Sequence, residues 1–220
     1  MSNKISFEDL FLLPTDDFVI PLKRDVSDLV AITADFTIAR IKRAYSLGIF
    51  PWHKHDDLFF WYAPSPRFVI FPDKLQVSNN LVNRLNSGRY EIKMNTCFEE
   101  VMEHCATVKR NHENSTWIED EFFDRYLQLH NEGMVQSVEV FENNELVGGL
   151  YGTIIGSVFC GESMFHLKPD TSKLALLYLC QSNMFSLIDC QLKSPHLEKL
   201  GGEFISFRKY LSFVNKKTKS

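Results

Sequence analysis

The sequence predicts an α+β fold, in which a mixed β-sheet domain follows a small N-terminal domain. Residues 1–66 form an irregular stretch that is rich in aromatic residues and prolines, whereas strand and helix patterns alternate from residue 67 onward. Alternating apolar residues on both sides of the turn at Asn143-Asn144 indicate antiparallel strands. An apolar helical stretch from Ser172 then leads into a short buried strand at 187–191. Antiparallel strands followed by alternating helices and strands indicate an α+β sheet domain.

In the first domain, residues 1–66, one segment has a clear helical pattern. Thr37 is a suitable N-terminal cap, an apolar stripe follows at helical spacing, and Gly48 is suited to end the helix. The histidines and aspartates at 53–57 have the residue types of a metal site. Because Lys54 lies between the histidines and no further ligand is evident in the sequence, we predict a solvated loop and no metal.

The second domain, residues 67–220, carries the alternating elements. Strands are predicted at 68–71, 90–94, 138–140, 146–155, 157–164, 187–191 and 203–207, and helices at 96–107, 119–132, 172–185 and 195–200. The helix at 96–107 is expected to begin with a capping box formed by Thr96 and Glu99. Splayed central strands in this order are typical of acetyltransferase-like folds, and we predict that fold.

The composition indicates a globular protein of the cytosol. A formal charge of −4 argues against a protein that coats long nucleic acids, although it is compatible with contacts to a few phosphates. The five cysteines include no Cys-x-x-Cys pair, which favours free thiols over a disulfide framework or a zinc site. No stretch of the sequence reaches the ~18 apolar residues of a membrane span. We therefore expect a cytoplasmic monomer that does not enter a membrane.

Three polar side chains at the ends of apolar strands are candidates for chemistry. Glu162 lies inside an apolar segment, where a buried carboxylate requires a donor or a cation as its partner. Asp189 and Gln191 end another apolar strand, and strand alternation places them on one face about 7 Å apart. Asp189 can then accept a hydrogen bond from the Gln191 amide, whose oxygen is left to receive an attacking amine.

Two nucleophile interpretations are weaker. Gly161-Glu162-Ser163 resembles the start of an esterase elbow, but Phe165 replaces the glycine that the tight turn requires. A dyad of Cys190 and His196 is the second interpretation, and strand alternation turns Cys190 to the side opposite Asp189. We therefore interpret Ser163 as a serine at a strand end and Cys190 as a core residue.

Six short segments occur in a defined order along the chain. They are Gly48-Ile49-Phe50-Pro51-Trp52, Trp61-Tyr62-Ala63-Pro64-Ser65-Pro66-Arg67, Gly148-Gly149-Leu150-Tyr151-Gly152, Phe159-Cys160-Gly161-Glu162-Ser163-Met164-Phe165, Ser172-Lys173 and Ile188-Asp189-Cys190-Gln191. In this order they resemble the leucyl/phenylalanyl-tRNA–protein transferases. One segment alone is a weak signal, whereas the ordered set is specific. The similarity is poor over residues 1–30, and the chain ends soon after Tyr210, where many members continue.

The resemblance implies an aminoacyltransferase that needs no cofactor. Members of that family move Leu or Phe, with Met as a further candidate, from aminoacyl-tRNA to the α-amine of proteins that begin with Arg or Lys. The new peptide bond creates an N-terminal degradation signal. Aminoacyl-tRNA is an activated ester and an α-amine has an unperturbed pKa near ~8, so the reaction requires no ATP at this step. The implied partners are the 3′ end of aminoacyl-tRNA and the acceptor protein.

The resemblance also assigns roles to the candidate catalytic residues. Gln191 positions the amine, Asp189 positions Gln191, and Glu162 helps to hold the reacting groups. An amide oxygen is a poor base, so Gln191 is interpreted as a positioning acceptor. The proton then leaves through water or through the departing ribose hydroxyl.

Binding residues are predicted for each part of the donor. The apolar pocket for its amino-acid side chain is assigned to Leu150, Met164, Leu176 and Ile188. Flexible Met164 accounts for acceptance of both Leu and Phe. The residues expected to contact the terminal adenosine by stacking are Trp52, Trp117 and Tyr45. The phosphates are expected to contact a basic face of the first helix, formed by Arg40, Lys42 and Arg43.

Two other function classes remain open at this point. An N-acetyltransferase that uses acetyl-coenzyme A would have the same fold, but its pyrophosphate requires a glycine-rich turn at a helix N-terminus. The corresponding segment, residues 166–172, contains no glycine. A non-catalytic module that binds RNA or a peptide would retain the fold without turnover. The presence of Glu162, Asp189 and Gln191 together argues against it.

Overall fold

Two β-sheets organise the part of the chain that the computed structural model describes, which comprises residues 10–19, 28–107 and 120–216. Their strands are β1 (Phe11–Leu12), β2 (Leu29–Thr33), β3 (Phe50–His55), β4 (Leu58–Tyr62), β5 (Arg67–Ile70), β6 (Glu91–Met94), β7 (Val135–Glu142), β8 (Glu145–Ile155), β9 (Val158–His166), β10 (Leu187–Gln191) and β11 (Glu203–Ile205). The helices are α1 (Ile38–Ser46), α2 (Asn79–Leu85), α3 (Phe98–Thr107), α4 (Asp120–Asn131), α5 (Thr171–Gln181), α6 (Pro195–Lys199) and α7 (Phe207–Val214), with a 3₁₀ turn at Pro72–Lys74.

The larger sheet is mixed and has the strand order β11-β5-β10-β9-β8-β7-β6 within the described ranges. Its neighbouring strands are antiparallel except for β9 and β10, which are parallel and place Asp189 opposite Cys160. One parallel pair amid antiparallel strands, with helices on both faces, is the α+β, acetyltransferase-like fold that the order of elements predicts. That prediction is confirmed.

Alternate residues of the central strands point into two separate cores. Leu150, Phe159 and Ile188 enter a core shared with α5 and α2. Tyr151 and Cys160 enter the other core, which contains residues of α3, α4, α7 and the N-terminal sheet. The period of two along a strand therefore divides the sheet into two buried faces. Because the second core includes residues from both sides of residue 66, the domain boundary between 66 and 67 stays a prediction.

The smaller sheet corrects the expectation that the N-terminal region is irregular apart from one helix. Its order is β1-β2-β4-β3, so the predicted loop at 53–57 is the end of a β-hairpin within the described residues. Asp56 and Asp57, both with positive φ, form the hairpin turn, a position where Asp is tolerated. Pro51 lies in β3 at an irregularity of its register, which explains why the sequence pattern did not resemble a strand.

Helix α1 follows its predicted boundaries closely. The Thr37 hydroxyl accepts a hydrogen bond from the backbone N–H of Arg40, and Gly48 follows the helix with a φ of +75°. The predicted stripe faces the core, since Ile41 and Ala44 are fully buried. These local rules succeed because caps and amphipathic spacing depend only on neighbouring residues.

Other helix predictions need correction. The Thr96 hydroxyl donates to the carboxylate of Glu139 instead of capping α3, which begins at Phe98. The helix predicted at 172–185 ends at Gln181. Helices α2 and α7 were not predicted, because α2 has only seven residues and α7 begins at Phe207, the last residue of the strand predicted at 203–207. No helix in the described ranges is long and apolar enough to cross a membrane.

We expect Gly48→Ala to destabilise the protein more than Gly88→Ala. Both glycines have positive φ, which costs a side chain about 1–2 kcal/mol. A Cβ at Gly48 would also lie 2.9 Å from Cε1 of buried Tyr210, whereas nothing lies within 4 Å at Gly88. The added crowding costs roughly 1–3 kcal/mol. Urea unfolding of both variants measures the difference, and equal losses of unfolding free energy would contradict the predicted close contact.

Candidate active site

A cavity of about 380 Å³ lies at the point where β9 and β10 part. The two strands pair up to Cys160 and Asp189, after which β9 continues to His166 and β10 ends at Gln191. Residues beyond that last pair line the cavity. Because β10 ends two residues after the last pair while β9 continues, their separation opens a space between side chains of β9 and those at the end of β10.

The predicted catalytic and donor-pocket residues line this single cavity. On its apolar side these are Leu150, Met164, Leu176 and Ile188, and on its polar side Glu162, Asp189 and Gln191. Trp52 reaches the same cavity from the N-terminal sheet. The structure therefore brings together residues that are distant in the sequence, and their individual roles stay predictions.

Glu162 is held by hydroxyl and amide donors. Its Oε1 atom accepts hydrogen bonds from the hydroxyl groups of Tyr45 at 2.6 Å and Thr153 at 2.9 Å. Its Oε2 atom lies 3.4 Å from the amide nitrogen of Gln191. Burial raises the pKa of Glu162 to about 7, although the donors at Tyr45 and Thr153 oppose that shift. A carboxyl group with this pKa exchanges its proton near neutral pH.

Asp189 organises the backbone at the end of β10. Its Oδ1 atom accepts a hydrogen bond from the backbone N–H of Gln191 at 2.8 Å. Gln191 has a φ of 63°, an unusual conformation for a residue other than glycine, and the pairing register shifts between these two residues. The expectation that Asp189 accepts from the Gln191 side-chain amide is therefore wrong. The amide donates to Glu162 instead, because the irregular strand end turns the side chain toward β9.

Arg67 supports Asp189 from the side opposite the cavity. Its guanidinium is fully buried, its Nε atom lies 3.7 Å from Asp189 Oδ1, and its Nη2 atom donates to the carbonyl of Gly48. The rings of Tyr210 and Phe50 lie 4.5 and 5.0 Å from the guanidinium carbon. Such contacts stabilise a buried cation that is only partly hydrogen-bonded. The sequence pattern did not indicate this role, although Arg67 ends one of the six motif segments and begins the apolar run of β5.

Tyr45 does not have the predicted stacking role. It is almost fully buried, and its hydroxyl proton is donated to Glu162. The hydroxyl of Tyr126 lies 2.7 Å away and donates in turn to Tyr45. A ring enclosed in this way offers no face to a nucleobase. Trp52 is only partly buried and remains available, whereas Trp117 lies outside the described residues.

The predicted basic face on α1 is largely neutralised by carboxylates. Arg40 is buried, and its guanidinium donates to Asp35 at 2.7 Å and to the carbonyl of Leu13 at 2.8 Å. The prediction that Arg40 binds a phosphate is therefore wrong, because its guanidinium is buried and connects parts of the N-terminal fold. Two further ion pairs, each 2.5 Å long, join Lys42 to Glu132 and Arg43 to Asp17.

The cavity shows no activated nucleophile among its cysteines. Burial raises the pKa of the Cys190 thiol, so the thiol is protonated at neutral pH. Cys190 does line the cavity, contrary to the expectation from strand alternation, because the strand becomes irregular after Asp189. Within the described ranges, no cluster of three or more potential metal ligands occurs.

The comparison with known families agrees with the residues in the cavity. A family model described as leucyl/phenylalanyl-tRNA protein transferase matches residues 69–215. A second model, for the N-terminal domain of that family, matches residues 34–65. The chain belongs to this family. The predicted resemblance is thereby confirmed, and the protein is a transferase.

Individual relatives match over most of their length. The leucyl/phenylalanyl-tRNA–protein transferase of Hydrogenovibrio crunogenus is 42% identical over 193 residues, which cover 86% of this chain and 75% of the relative. The transferase of Flavobacterium johnsoniae is 40% identical and covers 96% of this chain and 98% of its own. Among solved structures, a GCN5-related N-acetyltransferase from Kribbella flavida aligns with a TM-score of 0.38 and 14% identity, over 75% of this chain and 60% of its own.

We expect Glu162→Gln to remove a pH dependence of stability. The pKa of Glu162 is about 7 in the folded protein against an ordinary value of 4.5, so the native state binds this proton more tightly than the unfolded chain. The stabilisation is complete below pH 4.5 and is lost as the pH rises through about 7. The unfolding free energy of the wild type relative to Glu162→Gln should therefore fall by roughly 2–3 kcal/mol between pH 5 and 8.

Urea unfolding at several pH values provides the measurement. The exposed Glu145 supplies a matched control, because Glu145→Gln makes the same chemical change in contact with water. At each pH, the unfolding free energy of each variant is compared with that of the wild type. If the two variants show equal differences at every pH, Glu162 does not bind a proton in the way described above.

Proposed function

We propose that this chain transfers Leu or Phe from aminoacyl-tRNA to the N-terminal α-amine of proteins that begin with Arg or Lys. The product carries an N-terminal degradation signal, and the reaction takes place in the cytoplasm. The observation that carries the proposal is the single cavity with an apolar side for a side chain and a polar side for an amine. Membership in the family supports the same reaction.

The apolar side of the cavity suits the side chain of the donor. Leu150, Leu176 and Ile188 come from three different elements and are almost fully buried, so they form a firm wall. Met164 is less buried and can adjust its rotamers to side chains of different shape. Since one methylene provides only ~1–3 kcal/mol of discrimination, selection rests on the shape of this wall.

The polar side suits the attacking amine. Because the Gln191 amide nitrogen is directed to Glu162, its oxygen is left to accept a hydrogen bond from the amine. The amine nitrogen attacks the ester carbonyl carbon, and the bond from that carbon to the ribose oxygen breaks. The amine proton passes to the departing ribose oxygen, so no covalent enzyme intermediate forms. Orientation of the two reactants can supply several kcal/mol of the lowered barrier, up to ~7–11 kcal/mol in ideal cases.

The carboxylates of the cavity also favour a cationic acceptor. Glu162 and Asp189 are the acidic residues among the described lining residues, and Asp189 is already paired with Arg67. Lys193 also lines the cavity, and its ammonium is paired with Glu198 at 2.6 Å. Glu162 has donors but no cation as a partner in the described structure. Its charge therefore favours an acceptor that begins with Arg or Lys, and its pKa near neutrality allows it to bind an amine proton temporarily.

The acetyl-coenzyme A alternative is disfavoured at the N-terminus of α5. That helix end would have to expose backbone N–H groups to a pyrophosphate. Thr171, the first residue of α5, is fully buried, and its hydroxyl donates to the carbonyl of Val147 at 2.8 Å. A Cβ at Gly148 would lie 2.3 Å from the Thr171 hydroxyl oxygen, so β8 closely covers this end of the helix.

We expect the protein to transfer labelled Leu from Leu-tRNA to peptides that begin with Arg or Lys and not to an otherwise identical peptide that begins with Ala. Thin-layer or mass-spectrometric detection of the extended peptide measures the reaction. Transfer of an acetyl group from acetyl-coenzyme A to the same peptides would contradict the proposal, as would equal transfer to all three peptides.

We expect Gln191→Asn to lower turnover in the same assay. Asn tolerates positive φ and keeps the amide, but it is one methylene shorter and cannot reach both the amine and Glu162. A displacement of about 1 Å costs on the order of 100-fold in rate. Turnover should fall by about that factor while the dissociation constant for Leu-tRNA is unchanged. Equal losses in both quantities would make Gln191 a tRNA-binding residue.

We expect Met164→Ile to shift donor preference toward Leu. A β-branched side chain is stiff at χ1 and cannot retreat from the larger ring of Phe. The ratio of kcat/KM for Leu-tRNA to that for Phe-tRNA should rise by roughly tenfold, the effect of ~1–3 kcal/mol of lost fit. Met164→Leu is the matched control and should leave the ratio near that of the wild type. A similar rise in both variants would show that Met164 acts through its sulfur and not through its flexibility.

A further inference from the structure

A second cavity, of about 250 Å³, adjoins the first and has the opposite charge. His196 lines both cavities. The cationic lining residues come from three helices: Arg84 from α2, Lys173 from α5 and Lys199 from α6. With His196 neutral, these three cations and the one acidic residue among the described lining residues, Asp170, leave a net charge of +2. The cluster is notable in a chain whose net charge is −4.

Asp170 does not cancel this positive charge. One carboxylate oxygen accepts from Arg84 at 2.9 Å and the other from Lys173 at 2.8 Å. The pKa of Asp170 is lowered, first by the hydrogen bond with Lys173. Asp170 therefore acts as a brace between α2 and α5. Lys199 makes no hydrogen bond or ion pair with another residue in the described part of the chain, and it is exposed on the same short helix as His196.

The cations of this cavity face one another. The pKa of His196 is lowered, first by partial desolvation of a ring that stays exposed and then by the charges of Lys173 and Lys199. An anion between these groups would relieve their repulsion and accept hydrogen bonds from them. The side chain of Asn80, which also lines the cavity, adds a neutral donor. A compact oxyanion has the chemistry that matches this set.

The second cavity also provides cations for the tRNA phosphates, which the basic residues of α1 do not. The basic residues first assigned to phosphates on α1 are buried or paired with carboxylates. Aminoacyl-tRNA nevertheless carries phosphodiesters next to the ester that must enter the first cavity. On α5, Lys173 and Leu176 are three residues apart, so they lie about 4.5 Å apart along the helix axis. Leu176 lines the first cavity and Lys173 the second.

We propose that the cavity lined by Lys173, His196 and Lys199 is a phosphate subsite that binds a phosphodiester of the tRNA 3′ end while the aminoacyl ester occupies the adjoining cavity. This inference rests on the proposed function. The two cavities then match the two substrates in charge: the acidic one receives the amine, and the basic one receives a phosphate. The ligand is an RNA phosphodiester and not an acidic segment of the acceptor protein.

Lys199→Gln tests this subsite. The variant removes one cation without touching the first cavity, and Lys199→Arg keeps the charge. Binding of Leu-tRNA to Lys199→Gln should weaken roughly tenfold at low salt, as expected for one charge-assisted contact. The slope of log Kd against log salt concentration should become shallower by about 0.7, the value for one phosphate of a single strand. Lys199→Arg should keep the affinity and the salt slope at their wild-type values. Lys93 lies on β6, an edge strand of the larger sheet, so Lys93→Gln should also resemble the wild type.

A second donor separates phosphate binding from chemistry. Leucyl-adenosine keeps the ester and the terminal nucleoside but has no phosphate, so Lys199→Gln should transfer Leu from it at the wild-type rate. An unchanged tRNA affinity and salt slope in Lys199→Gln would overturn the proposal. So would a raised KM for the acceptor peptide with normal tRNA binding, which would assign the cavity to an acidic acceptor. If the wild type transfers Leu from neither donor, the proposed function itself fails.

Discussion

The separation of β9 from β10 after the Cys160–Asp189 pair is the constraint on which the site depends. If the two strands remained paired to their ends, their backbone groups would close the sheet and leave no space for a substrate. The separation instead leaves Glu162, within β9, opposite Gln191 at the end of β10, and the Gln191 amide nitrogen lies 3.4 Å from Glu162 Oε2. Gln191 adopts a left-handed backbone conformation that costs about 1–2 kcal/mol. The hydrogen bond from its N–H to Asp189 offsets part of that strain.

Two carboxylates line this gap, Asp189 buried and Glu162 half-buried, and different parts of the protein support each of them. Asp189 has a cation, Arg67, whose guanidinium is enclosed by aromatic rings and anchored to Gly48. Glu162 has hydroxyl donors instead, one of which is Tyr45 of α1. Removing Arg67 would leave the buried charge of Asp189 without its cation, and the loss of one partner of a buried ion pair costs about 3–5 kcal/mol. Since both Gly48 and Tyr45 precede residue 66, the N-terminal region is part of the site's support.

How much of this was predictable depended on the distance along the chain between interacting groups. Strand periodicity and the motif segments were sufficient to select Glu162, Asp189, Gln191 and the apolar wall. Local caps were sufficient for α1. The role of Tyr45 was missed because its partner Glu162 is 117 residues away. Arg40 looked like a surface cation for a similar reason, since Leu13, to which it is bonded, is 27 residues away. The hairpin of β3 and β4 is local, and it was missed for another reason, since Pro51 interrupts the strand pattern at an irregularity of the register.

The division of charge between the two cavities bears on how the reaction can proceed without a strong base. An ester needs only a neutral amine in the correct orientation, and an α-amine with a pKa near ~8 is partly neutral at about pH 7. A permanently ionised carboxylate beside the amine would hold it as ammonium, whereas a fully protonated one would not attract it. Burial places the pKa of Glu162 at about 7, between these extremes. Glu162 can therefore attract the ammonium form and take up its proton before attack, provided that the phosphates of the donor are held elsewhere. The proposed phosphate subsite would hold their negative charge away from Glu162, where it would raise the carboxyl pKa and weaken this proton exchange.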